Sequence, residues 1–74
     1  LYGYFETVQT HKSLVDLTKK RPFIITRSSF PGTGKLAGKW SGDNKSSWSD
    51  LFYSISGLLT FNILGIPFAG ADIC

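Results

Sequence analysis

The sequence is poor in the residues that usually staple or charge a small protein. It has one cysteine, Cys74, so no disulfide can form within the chain. It has one histidine, His11, so a His/Cys metal cluster is excluded as well. No methionine opens it, and no charged leader precedes an apolar run, so no signal peptide is read. No stretch reads as a membrane segment, and there is neither an internal repeat nor a low-complexity run. Acidic residues are few, 5 against 8 basic ones, which leaves a net charge of +3. The one basic cluster is Lys19-Lys20-Arg21. No aromatics interleave it, which argues against nucleic acid. Three cations at a helix end instead complement the helix dipole. The start at Leu1 and the stop at Cys74, directly after a strand-like segment, lead us to expect a single slice of a larger domain over residues 1–74 rather than a complete domain.

What is present is a core-forming composition. Apolar residues make up 42% and aromatics 15%, too hydrophobic for a disordered segment. Tyr4, Val8, His11, Val15 and Thr18 recur at helical spacing, so a helix is predicted over 4–19 with Lys19 to Arg21 in its last turn, stopped at Pro22. His11 is expected at a helix-surface or half-buried position on that helix, without a catalytic partner. Residues 23–26, FIIT, read as a buried strand. Residues 28–34 carry turn chemistry in Pro31, Gly32 and Gly34. Residues 35–40, KLAGKW, read as a second, weaker strand. A second helix starts near Ser47, where Ser47 and Asp50 fit a capping box. Gly65 and Pro67 end it, and residues 66–69, IPFA, form a third strand. The order is helix, strand, strand, helix, strand, an α/β pattern.

Each predicted strand delivers one ionisable residue just past its apolar run: Arg27, Asp43 and Asp72. In a parallel barrel such positions carry the chemistry. A polar residue at a strand exit is also what any turn requires. The link between the first two strands, about eight residues, ordinarily means an antiparallel hairpin. That would send Arg27 and Asp43 to opposite ends. A parallel arrangement is also feasible, because about eight extended residues reach ~28 Å and a strand of about five spans ~17 Å. PGTGK, residues 31–35, suggests a phosphate loop through Lys35 but fails it: Ser29 stands where the first glycine belongs, and Leu36 follows the lysine.

Three stretches taken together carry a resemblance: RPFIITRSSFPGTGK, GKWSGDNKSSW and GIPFAGADIC. In order and spacing the chain resembles glycoside hydrolase family 31, the retaining α-glucosidases, in its lysosomal acid α-glucosidase and maltase-like branch. The resemblance implies an internal slice of a (β/α)8 TIM barrel, about strands five to seven, with parallel strands and a helixless crossover. It implies that Asp43, the aspartate of a Trp-x-Gly-Asp motif, is the general acid/base. Arg27 would bind sugar hydroxyls, Trp40 would wall the glucose subsite, and Asp72 would lie on its floor. The nucleophile would stand on an earlier strand, before Leu1. Glu6, Asp16 and Asp50 fall on predicted helices and are poor substitutes, so the slice alone is expected to be inactive. The family usually reads Gly-His-Trp where this chain has Gly38-Lys39-Trp40. The Gly-Ala-Asp-Ile-Cys ending favours the lysosomal and secreted branch of glycoproteins, in which that cysteine is disulfide-bonded; Cys74 would pair beyond this chain. No cofactor and no metal are implied. The partners implied are an α-glucoside (maltose, or starch- or glycogen-derived oligosaccharides) and the remainder of a parent chain, in a lysosomal or extracellular setting. Asn44-Lys45-Ser46 is a glycosylation sequon, expected to be unused because a glycan beside Asp43 would block the cleft. The alternative reading is a non-catalytic carbohydrate-binding or degenerate barrel module.

Overall fold

The computed structural model describes residues 1–72. The expected pairing of Cys74 lies outside them. Helix α1 spans Tyr2–Thr18, strand β1 Ile25–Thr26, a 3-10 turn Thr33–Lys35, strand β2 Gly38–Trp40, helix α2 Trp48–Ile63 and strand β3 Ala69–Gly70. The three strands form one sheet in the order β1-β2-β3, and both pairs are parallel. Ile25 and Thr26 register with Gly38 and Lys39; Lys39 and Trp40 register with Ala69 and Gly70.

The hairpin alternative is thus overturned. The link between β1 and β2 folds back over its own length instead of turning tightly. Thr33 makes this possible. It is fully buried, its hydroxyl accepts from the Phe30 N–H at 3.1 Å, and its carbonyl accepts from Leu36 and Ala37. Lys35 therefore belongs to the 3-10 turn, and β2 begins at Gly38 rather than at residue 35. Gly34 lies against the backbone after α2, where an added Cβ would overlap the Gly65 carbonyl. Because backbone, not a flexible side chain, occupies that space, Gly34→Ala is expected to destabilise the protein by about 3 kcal/mol. A fall in the unfolding midpoint during a thermal melt checks this.

The other boundaries shift for local reasons. Helix α1 starts at Tyr2 and stops at Thr18, because Lys19 turns left-handed (φ 56°) and donates its N–H to the Val15 carbonyl at 2.9 Å. The basic cluster therefore follows the helix rather than filling its last turn. His11 is half-buried on α1, as expected. The start of α1 packs on the β1 exit: an added Cβ on Gly3 would strike Ser28, and the Tyr4 ring lies 6.4 Å from that of Phe30. Strand β1 keeps only the last half of FIIT. Phe23 instead meets Phe68 edge-on, with centroids 5.9 Å apart.

Helix α2 begins where the capping pattern placed it. The Ser47 hydroxyl accepts from the Asp50 N–H at 3.3 Å. The Asp50 carboxylate does not return the bond to Ser47; it accepts from the Lys45 N–H at 2.6 Å. At the far end Gly65 (φ 81°) donates to the Asn62 carbonyl and Ile66 to that of Phe61. These two bonds make a Schellman cap, which satisfies carbonyls the helix would leave open. Pro67 has no N–H to give a ladder, and β3 starts later than expected, at Ala69. Ile66, only 2% exposed, is the buried apolar anchor among the described residues. No residue of α2 is buried, and Trp48, Phe52, Ile55, Leu59 and Ile63 stand open to solvent. None of the described helices is long and apolar enough to cross a membrane.

Candidate active site

Parallel pairing sends all three strands the same way, so the residues after each emerge at one edge of the sheet. Thr26 ends β1 and Arg27 follows it; Trp40 ends β2. The Arg27 guanidinium lies over the Trp40 ring, 5.3 Å from its centroid. A cation over indole gains from the ring quadrupole. Two residues on, buried Gly42 takes φ 89°, a conformation that side chains rarely adopt. An added Cβ there would sit 3.6 Å from an Arg27 guanidinium nitrogen. The glycine therefore turns the chain beside Arg27 and releases Asp43 into solvent immediately after it.

Ser41 ties the β2 exit to the β3 exit. Its N–H and its hydroxyl both donate to the Gly70 carbonyl, at 2.8 and 3.0 Å. Two residues past each end of that bridge lie Asp43 and Asp72. Both line one groove of about 960 Å³, together with Asn44, Gly70 and the Trp48, Tyr53 and Phe61 face of α2. Asp43 and Asp72 are exposed.

Four of the sequence-predicted residues are thus arranged as two pairs. Arg27 stacks on Trp40, and Asp43 shares its groove with Asp72. Arg27 and Trp40 do not line that groove. Gly42 is the junction between the pairs. Sequence reasoning missed Ser41 and Gly42 as builders of the site. Their signal was their place inside WSGD, where a small donor and a positive-φ residue separate the ring from the carboxylate. Glu6 and Asp16 fall on α1, and Asp50 is used by the Lys45 turn.

Lys39 lies beneath this edge. Its Nζ donates to the Arg27 carbonyl and stands 5.6 Å from the centre of the Phe61 ring on α2. Partial burial, and then the Arg27 charge, hold the ammonium below the usual lysine pKa.

Residues 1–74 match the family described as glycosyl hydrolases family 31 TIM-barrel domain. The chain belongs to glycoside hydrolase family 31. It is 50% identical over 74 residues to Alpha-xylosidase 1 of Arabidopsis thaliana, covering 100% of this chain and 8% of that protein. It is likewise 50% identical over 74 residues to the Lysosomal alpha-glucosidase of Mus musculus, again 100% of this chain and 8% of the relative. The Alpha-glucosidase of Schizosaccharomyces pombe is 48% identical over 75 residues, with the same coverage of 100% and 8%. The chain therefore spans about 8% of the length of the curated relatives it matches.

Proposed function

We propose that this chain is part of a retaining α-glucosidase that removes terminal non-reducing α-linked glucose from maltose and malto-oligosaccharides. Asp43 is its general acid/base. The observation that carries the reading is the parallel pairing of β1, β2 and β3, which brings Arg27, Trp40, Asp43 and Asp72 to one edge of one sheet.

A retaining glycosidase needs two carboxyl groups about 5–5.5 Å apart, one nucleophile and one acid/base. Asp43 takes the second role. It arrives protonated and gives its proton to the glycosidic oxygen as the bond to the anomeric carbon breaks and the nucleophile bonds to that carbon. It then takes a proton from water, whose oxygen displaces the nucleophile and restores the α configuration. Arg27, held over the Trp40 ring, presents N–H donors to sugar hydroxyls. Trp40 supplies the apolar wall that a pyranose ring face requires, and Asp72 accepts from hydroxyls at the subsite floor. No cofactor enters this chemistry.

The nucleophile belongs to an earlier strand of the same barrel, outside residues 1–74. We read these residues as an internal slice near strands five to seven. The open apolar face of α2 supports this, since the remainder of a barrel would cover it. The sequon at Asn44 stays unused, because the side chain lines the same groove as Asp43. Relatives from Mus musculus and Bos taurus are named lysosomal, which supports a lysosomal or secreted setting.

The anomer released first tests the mechanism. Proton NMR during early turnover of a nitrophenyl α-glucoside by the full-length parent is expected to show α-glucose ahead of mutarotation. Initial β-glucose would overturn retention. The 50% identity to Alpha-xylosidase 1 favours one second reading, in which the sugar is α-linked xylose. A higher kcat/KM for a nitrophenyl α-xyloside than for the α-glucoside would select it.

A further inference from the structure

We propose that Lys39 is a positioning residue that sets the aim of Arg27 and so tunes affinity for the sugar. The proposal rests on the reading of Arg27 as a sugar-binding group. Lys39 and Trp40 are consecutive on β2, and consecutive strand residues point to opposite faces. Trp40 receives the Arg27 guanidinium, and Lys39 receives the Arg27 main chain through the bond from Nζ to its carbonyl. Two neighbouring side chains therefore hold the two ends of one arginine.

The lysine is itself fixed. Its residue lies between partners on both sides, Thr26 in β1 and Ala69 in β3. Its ammonium stands near the Phe61 ring, which gives the head a second attachment on α2. Repulsion between the two cations disfavours any swing of the guanidinium toward Lys39 and so favours its place on Trp40. Without the ammonium, the Arg27 carbonyl loses this partner and the residue after β1 gains freedom. A guanidinium fork loses its value when its direction is not fixed.

The test uses the full-length parent and maltose kinetics. Lys39→Met, which keeps the stem and removes the donor, is expected to raise KM about tenfold while kcat changes less than about twofold. Lys39→Arg, which restores a cationic donor, is expected to recover most of that loss. In an Arg27→Met background, Lys39→Met is expected to add nothing, since the group it aims is gone. Lys39→Leu, which also lacks a donor, replaces the methionine variant if the latter does not accumulate. A normal KM for the donor-less variant, beside a raised KM for Arg27→Met, would overturn the positioning role and leave the sugar role of Arg27 standing. A full Lys39 effect that persists in the Arg27→Met background would also overturn it, because the lysine would then act by itself. A normal KM for Arg27→Met would remove the sugar role of Arg27, and the proposal with it.

Discussion

Asp43→Asn in the full-length protein is expected to lower kcat/KM for maltose about a thousandfold, within the usual range for a lost general acid. The fold should be unaffected, since the side chain is exposed and the turn that delivers it depends on Gly42 rather than on the carboxylate. The loss should depend on the leaving group. A glucosyl fluoride or dinitrophenyl glucoside needs no proton to depart, so formation of the glycosyl-enzyme should stay near normal. Its hydrolysis should be slow for want of a base, so a burst of released leaving group should precede a slow steady state. Azide needs no base and enters from the face that the leaving group vacated. The expected product is therefore the α-glucosyl azide. A β-glucosyl azide would assign Asp43 to the opposite face, as nucleophile. Unimpaired maltose hydrolysis would remove Asp43 from the chemistry altogether.

Arg27→Met is expected to lower kcat/KM for maltose about a hundredfold, the effect of losing charge-assisted hydrogen bonds to bound substrate. Most of the loss should fall on KM, because sugar hydroxyls are held alike before and during bond cleavage. Arg27→Lys should recover only a small part. A lysine retains the charge and the cation–π contact but presents no planar fork across the Trp40 face. Full activity in Arg27→Lys would mean that the site reads charge at this position and not direction. Steady-state kinetics on maltose, with circular dichroism as the check on folding, separate these outcomes.

Helix α2 was legible almost to the residue, because its serine cap and its Gly-x-Pro exit are local signals that tertiary packing had no reason to override. The strands were less so. KLAGKW lost its first half, Lys35 to a 3-10 turn and Leu36 and Ala37 to the bend after it, since what decides there is the burial of Thr33 beneath the link, a long-range fact that strand periodicity does not carry. IPFA moved toward its own C-terminus because Pro67 cannot donate to a ladder, a signal the sequence did contain. Parallel against antiparallel pairing could not be read from link length; the resemblance favoured the parallel form, and the structure has it. At the site, the ionisable residues were visible as strand exits. Their division into a stacked pair and a groove pair was not, because it depends on the φ of Gly42 and on the double bond from Ser41 to Gly70.

The meeting of Gly34 with Gly65 has a consequence for how damage would be distributed. Both glycines precede the strands that end at the rim carrying Arg27 and Trp40, so they form a keystone at the opposite edge of the sheet. A lesion there would show as scarcity: few molecules reaching maturity, each of them competent. A lesion at exposed Asp43, at the rim proposed for the chemistry, would show as plentiful molecules that turn over poorly. Measuring turnover per folded molecule, rather than per gram of extract, tells the two kinds of defect apart.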